Sequence, residues 1–131
     1  MKGITHIKET CLYIQDIDKA VRFYHHCMGF PIITKVDGRH VFFRAGNSVL
    51  LCFLADVTKY DQHLPPHFAY GNQHLAFEVP KNEYEYWKSK LINAQVKITH
   101  QEQWRGSIES FYFNDLEENV LEIVQEGMWE I

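Results

Sequence analysis

The stretch ETCLYIQDIDKAVRFY, residues Glu9–Tyr24, changes from a strand pattern to a helix pattern. In its first half Thr10, Leu12 and Ile14 recur at every second position, as expected of a half-buried strand. In its second half the apolar residues recur at helical spacing, and Asp16 stands where an N-cap would be. The pattern therefore predicts a strand that leads directly into an amphipathic helix.

Glu9 is a carboxylate within this strand, on the face that it shares with Cys11 and Tyr13. That face lies opposite the one that turns toward the helix. A carboxylate that is taken out of water needs a cation or a dense set of hydrogen bonds. The sequence therefore predicts a partner for Glu9.

Length and composition indicate one folded domain. A hydrophobic share of 46% over 131 residues is enough to bury a core, and the formal net charge of -4 argues against binding of nucleic acid. No apolar run approaches the length of a membrane span, and the start MKGITHIKET does not have the pattern of a signal peptide. Cys11, Cys27 and Cys52 lie in apolar runs without CxxC spacing, so we expect reduced core thiols in a cytoplasmic protein.

Both halves of the chain predict the order strand, helix, strand, strand, strand. In the first half Gly29 is placed as a helix C-cap and Asp37-Gly38 as a hairpin turn. In the second half Asn82 and Glu85 form a variant capping box before the helix. After Glu9–Ile14, the predicted strands are Pro31–Val36, His40–Ala45, Ser48–Leu54, His74–Val79, Val96–Thr99, Ser110–Phe113 and Val120–Val124.

The two halves form an internal repeat of pattern, in which Glu9 and His74 hold equivalent places 65 residues apart. We expect a single domain over residues 1–131, with modules at about 1–54 and 74–131 joined by a linker over 55–73. The linker has little periodicity, so it is either a plain connection or a lid that borders the site. As a lid it would contribute His67 and Tyr70.

Glu9, His74 and Glu122 are the candidate metal ligands, because each lies on the strand face that turns away from the helices. One imidazole and two carboxylates suit a divalent ion such as Zn, Ni, Mn or Fe(II). Each residue alone fits an ordinary surface or hydrogen-bonded role, and it is the matching phase on repeated elements that favours a metal site. The other seven histidines are expected to be mostly solvated: His6, His25, His26, His40, His63, His67 and His100.

Other side chains are candidates for holding a substrate. Arg39, Arg44 and Arg105 could clamp an anionic group, with solvated surface charge as the alternative. Aromatic residues could line an apolar pocket, with ordinary core packing as the alternative: Tyr13, Trp104, Phe113 and Trp129.

Four segments carry a likeness to a known family: ETCLYIQDIDKAVRFYHHCMGF, HVFFRAGNSVLLCF, GNQHLAFEV and NDLEENVLEIV. Together they resemble the vicinal oxygen chelate superfamily, which includes glyoxalase I, bleomycin-resistance proteins, fosfomycin-modifying enzymes and extradiol dioxygenases. The resemblance implies an α+β fold in which two βαβββ modules form a cupped mixed sheet with helices on its outer face. It also implies a divalent metal at the centre, held by Glu9, His74 and Glu122.

The resemblance implies a metal-dependent lyase or isomerase, similar to lactoylglutathione lyase, that acts on a small molecule with vicinal oxygens. Glu122 or Glu9 would move a proton in such a reaction. An extradiol-type dioxygenase and a non-catalytic drug-binding protein are the alternatives, and a homodimer is expected in each case. Two departures stand out: Val49–Phe53 offers no fourth ligand, and Asp115–Asn119 lacks the Pro and Gly of the family's usual turn. We expect the second departure to change the backbone of that turn, because Glu118 disfavours a positive φ.

Overall fold

The computed structural model describes residues 2–130, which divide into two compact units, one ending at Gly71 and the other starting at Asn72. Each unit is a four-stranded mixed sheet with helices, so the predicted α+β class and the two βαβββ modules are confirmed. The strands are β1 (Glu9–Ile14), β2 (Ile32–Val36), β3 (His40–Ala45), β4 (Ser48–Leu54), β5 (His74–Val79), β6 (His100–Gln103), β7 (Glu109–Asn114) and β8 (Val120–Gln125). The helices are α1 (Ile17–Ala20), which continues as a π-helix (Val21–Cys27), α2 (Ala55–Thr58) and α3 (Tyr84–Asn93).

The first unit follows the predicted strand-to-helix transition. Asp16 caps α1, because its carboxylate accepts hydrogen bonds from the backbone amides of Asp18 and Lys19. Gly29 follows the π-helix with a φ of 82°, the left-handed conformation that the predicted C-cap requires. The strands are arranged β1-β4-β3-β2, with β1 parallel to β4. The uninterrupted apolar sequence of β4 fits its central place in this sheet.

The two faces of the first sheet differ in what covers them. The ring of Tyr24, from the π-helix, lies 5.6 Å from that of Phe43, so the face that holds Phe43 and Leu12 is the buried core. Glu9, Cys11 and Tyr13 alternate to the other face, which is called here the helix-free face of the first unit.

The second unit repeats this arrangement, with strand order β5-β8-β7-β6 and β5 parallel to β8. Its core face is covered by α3, where Tyr84 packs against Phe111 with ring centroids 5.4 Å apart. His74 pairs with Val120 as Glu9 pairs with Val49, so strand register places His74 and Glu9 at equivalent positions. His74 and Glu122 therefore lie on the helix-free face of the second unit.

Two local predictions for the second unit are wrong. The strand predicted at Val96–Thr99 is β6, at His100–Gln103, because the chain is still completing the end of α3. There the amide of Val96 donates to the carbonyl of Leu91, and ladder pairing starts only with the amide of Thr99. The capping box also fails, since a 3₁₀ turn precedes α3 and no side chain caps its first residues.

The segment predicted as a linker is more ordered than its composition indicated. It begins with α2, and the whole of it up to Gly71 belongs to the first unit. The hydroxyl of Thr58 donates to the carbonyl of His67, and the hydroxyl of Tyr70 donates to Asp56 across 2.8 Å. Among the helices within residues 2–130, none is both long and apolar enough to cross a membrane.

Candidate metal and ligand site

His74 stands at the start of β5, with its ring oriented by the neighbouring strand. Nδ1 lies 2.9 Å from the carbonyl oxygen of Val120. A carbonyl can only accept, so Nδ1 carries the proton and donates it to this bond. In the neutral ring Nε2 then keeps its lone pair, which is the arrangement found in histidines that bind a metal through Nε2.

Glu122 is the partner that Nε2 of His74 faces. Its Oε1 lies 3.4 Å from Nε2, and the Glu122 side chain is only 10% exposed whereas that of His74 is 51% exposed. The lone pairs of Nε2 and Oε1 repel each other at this distance unless a proton or a cation lies between them. Ligand atoms about 2.1 Å from one ion and at a tetrahedral angle are about 3.4 Å apart. The donor set and its spacing therefore fit a divalent ion.

Tyr112 is a third member of this cluster and was not recognised in the sequence. It lies opposite Glu122 in the register of β7 and β8, its ring stacks on His74 at 6.1 Å, and its hydroxyl is hydrogen bonded to Glu122. Burial, followed by the charge of Glu122, raises the pKa of Tyr112, so it remains a neutral phenol. The sequence signal that could have identified Tyr112 is the alternation of side chains along β7, which puts Tyr112 on the same face as Glu122.

Glu9 belongs to the first unit and differs from its prediction in one respect. It is exposed, whereas the half-buried pattern of β1 indicated a carboxylate withdrawn from water. The position that matches Glu122 in the first unit is Leu51, which pairs with Cys11 as Glu122 pairs with Ala76. Within the first unit, Glu9 is the one residue that the sequence predicts as a ligand. Within neither unit, over residues 2–130, do three or more His, Cys, Asp or Glu side chains form a cluster that could hold a metal ion.

Cys11 lies beside Glu9 on the helix-free face. Burial raises the pKa of its thiol, a hydrogen bond with Tyr13 lowers it, and Glu9 raises it further, with a net shift upward. Tyr13 also has a raised pKa, mainly through burial. A thiol that stays protonated is a poor nucleophile, although Cys11 itself is only half-buried and lies outside the core, unlike the buried Cys52.

Three of the predicted substrate residues lie on the helix-free face of the first unit. Arg44 is exposed and pairs with Val49, the neighbour of Glu9. Tyr13 stacks on Phe53 with ring centroids 6.2 Å apart, and the ring of His67 lies 5.5 Å from the same phenyl group.

The other two predicted substrate residues, Trp104 and Arg105, make contacts within the second unit. Nε1 of Trp104 donates to the hydroxyl of Ser110 across 3.0 Å. The guanidinium of Arg105 donates to the carbonyls of Gly127 and Met128 and so holds the C-terminal turn.

The turn before β8 keeps the conformation that its missing glycine was expected to change. Glu118 itself has a φ of 68°, in the left-handed region. Asp115 stabilises this turn, because its carboxylate accepts from the backbone amides of Glu117 and Asn119. The side-chain bonds outweigh the local preference of Glu118.

Comparison with known sequences identifies the family of this chain, and the match covers nearly its whole length. A sequence model of the Glyoxalase/Bleomycin resistance protein/Dioxygenase superfamily matches residues 3–123. The chain belongs to this superfamily. Members of the superfamily are mostly metal-dependent enzymes, and the donor set on β5 and β8 is consistent with that.

Individual relatives of this superfamily protein include two enzymes. The crystal structure of a lactoylglutathione lyase from Agrobacterium tumefaciens is 29% identical, with a TM-score of 0.91 over 97% of this chain and 98% of that one. The metallothiol transferase FosB of Staphylococcus haemolyticus is 26% identical over 125 residues, which cover 94% of this chain and 83% of that protein. A glyoxalase/bleomycin resistance protein/dioxygenase from Nocardioides shares the fold, with a TM-score of 0.75 at 16% identity and coverage of 97% and 88%.

Proposed function

We propose that this protein is a metal-dependent enzyme of the lyase or isomerase type, similar to lactoylglutathione lyase, that acts on a small molecule with vicinal oxygens. The observation that carries the proposal is the 3.4 Å approach of Nε2 of His74 to Oε1 of Glu122. The superfamily match and the resemblance to a lactoylglutathione lyase over 97% of the chain support it.

His74 and Glu122 of the second unit would hold the ion, and Glu9 is the further ligand that the sequence predicts. A divalent ion bound there supplies Lewis acidity toward substrate oxygens. Val120 and Tyr112 hold the two ligands of the second unit in orientation, through Nδ1 of His74 and the carboxylate of Glu122. Either Glu9 or Glu122 accepts and returns the proton that an isomerisation moves, since a carboxylate can act as base and then as acid.

The first unit provides side chains of its own that are suited to binding an organic molecule. Tyr13, Phe53 and the ring of His67 form a continuous aromatic surface on the helix-free face. Arg44, exposed on that face, supplies a positive charge for an anionic group.

A second candidate function is the metal-dependent transfer of a thiol. The observation that favours it is the 26% identity to FosB, which is named a metallothiol transferase, over 94% of this chain. The donor set is the same for both candidates, so the assay has to separate them.

The proposal is tested by elemental analysis of protein purified without chelator, followed by activity assays. We expect about one divalent ion per chain, and less than a tenth of this in His74→Ala and Glu122→Gln. His26→Ala is the control, because His26 is an exposed histidine on the π-helix of the first unit. Wild-type protein without bound metal would favour a non-catalytic binding protein.

The assays then separate the reaction classes. Formation of lactoylglutathione supports the lyase, while transfer of a thiol to an acceptor supports the second candidate. Oxygen uptake by protein that contains iron would identify a dioxygenase and overturn the lyase. Glu9→Gln should lower activity and metal content together if Glu9 is a ligand.

A further inference from the structure

We propose that Arg39 and His40 form a second ligand subsite, on the helix-free face of the first unit, that binds a planar carboxylate through Nε2–H of His40. The subsite lies within the first unit and does not require the metal site, but it shares Phe53 and His67 with the aromatic surface proposed for the substrate. Its members are Arg39, His40, Phe42, Phe53, Asp61 and His67.

The contact between Arg39 and His40 determines which ring nitrogen carries the proton. Nη1 of Arg39 lies 2.6 Å from Nδ1 of His40. A guanidinium has donors but no acceptor and does not lose its proton in proteins, so Nδ1 of His40 has to accept. His40 is therefore a neutral imidazole whose only proton on nitrogen is at Nε2.

Asp61 holds Arg39 in this position. Its Oδ2 lies 2.8 Å from Nη2 of Arg39, and both side chains are largely buried. The guanidinium also lies over the ring of Phe53, at 5.6 Å from its centroid. Arg39 is thus fixed by charge, by hydrogen bonding and by stacking, so the tautomer of His40 is fixed as well.

Nε2 of His40 is the donor that this arrangement leaves available. His40 as a residue is only 8% exposed, and among residues 2–130 its hydrogen bonds are confined to Nδ1. No fully buried side-chain nitrogen or oxygen in that range lacks a partner. It follows that Nε2 is not fully buried, so its N–H is the group that a ligand would meet.

The second unit provides an internal comparison. Ser110 pairs with Val124 as His40 pairs with Phe53, so register makes Ser110 and His40 equivalent. Ser110 accepts a hydrogen bond from Trp104 of its own unit. His40 likewise accepts a hydrogen bond within its own unit, from Arg39, and it differs from Ser110 in carrying a second ring nitrogen, whose Nε2–H is a further donor.

Aromatic rings around His40 define the shape of that ligand. Phe42 stacks on the imidazole with centroids 4.1 Å apart and planes 13° apart, and Phe53 meets it edge-on at 5.8 Å. His67 donates from Nδ1 to the carbonyl of Pro65 across 2.5 Å and packs on Phe53. A flat conjugated group could stack against these rings while its carboxylate accepts from Nε2–H.

The test uses benzoate as the probe and ¹⁵N-histidine NMR as the readout. In wild-type protein we expect saturable shifts of the His40 Nε2–H signal, with a dissociation constant of about 1 mM. His40→Leu should weaken binding about tenfold, because the donor to a charged acceptor is lost. His40→Gln should bind within about threefold of wild type, since its amide can donate at a similar reach.

Controls make the result specific. Benzylamine has the same ring but a cation in place of the acceptor, and it should not bind. His63→Ala removes an exposed histidine of the neighbouring segment and should leave benzoate binding unchanged. Absence of a wild-type shift up to about 50 mM benzoate, or equal binding by His40→Leu, overturns the subsite. Since the wild-type titration and the tautomer seen in its spectrum need no variant, they decide the matter if His40→Leu does not fold.

Discussion

The side-chain amide of Asn119 donates to Oδ2 of Asp115 across 2.9 Å, and both residues are buried at the turn between β7 and β8. The opposite end of the same amide, Oδ1, accepts from the backbone amide of Gln73 at 3.0 Å. Gln73 directly precedes His74. The turn before β8 and the start of β5 are therefore joined through one side chain, which fixes where the candidate ligand begins its strand.

Asn119→Ala should destabilise the protein by about 2–3 kcal/mol, because it leaves the buried carboxylate of Asp115 and the partly buried amide of Gln73 without this partner. Urea unfolding at neutral pH measures the change. Asn72→Ala is the matched control at an exposed position and should stay within about 0.5 kcal/mol of wild type. Equal stability of the two variants would contradict the conclusion that Asn119 joins the turn before β8 to the start of β5.

Glu118→Gly should stabilise the protein by about 0.5–1 kcal/mol. The left-handed φ of 68° costs a residue with a side chain about 1–2 kcal/mol, and part of that gain is offset by the greater freedom of glycine in the unfolded chain. Thermal unfolding followed by circular dichroism gives the comparison. Glu118→Ala keeps the strain and should not stabilise; a gain as large as that of glycine would show that strain is not the cause.

His67→Ala should weaken ligand binding or catalytic efficiency while leaving the melting temperature nearly unchanged. Thr58 bonds the backbone carbonyl of His67, so this anchor survives the substitution. What is lost is the ring against Phe53 and its hydrogen bond to the carbonyl of Pro65. Steady-state kinetics or a binding titration measures the effect, and His63→Ala in the same segment is the control. Unchanged binding would show that residues 55–73 do not act as a lid and only connect the two modules.

Acidification should lower stability through His40. Burial, followed by the charge of Arg39, lowers the pKa of His40, and Asp61 only partly opposes this. The unfolded chain takes up the proton near pH 6.5 while the folded protein still resists it, so stability is full above about pH 6.5 and is lost as the pH falls through the lowered folded pKa. Urea unfolding at pH 7.5 and 5.5 should show a smaller loss for His40→Gln than for wild type. An equal loss of stability in the two proteins would contradict this role of His40. The ring of His40 also faces Phe53, and His67 packs on the same phenyl group.

The protein should be a homodimer, a state that members of the superfamily commonly adopt. The edge strand β2 carries Ile32, Ile33 and Val36 as exposed apolar side chains, which is consistent with a surface that becomes covered. Sedimentation velocity at micromolar concentration should give the mass of two chains, with an interface of at least about 1,000 Å². A single monomeric species would refute the expectation.

Much of the fold could be predicted because it depends on local periodicity. The alternation of Thr10, Leu12 and Ile14, the cap at Asp16 and the glycine at 29 each act over a few residues, and each is found where the sequence placed it. Where a local signal competed with a tertiary one, prediction failed. Val96–Thr99 has strand-like residues, but it forms the end of α3 and the approach to β6.

For the candidate site, the sequence by itself determined which ligand-type residues share a strand phase, since alternation assigns Glu9, His74 and Glu122 to helix-free faces. Only the tertiary structure decided the atoms that meet: Nε2 of His74 with Glu122, and Nδ1 of His40 with Arg39. His40 is the clearest case, because as a lone histidine on a strand it was expected to be solvated, yet it is buried. Its tautomer depends on Arg39, and the position of Arg39 depends on Asp61, which is 22 residues further along the chain. Contacts between residues so far apart in sequence leave no periodic trace, so they become visible only once the chain has folded.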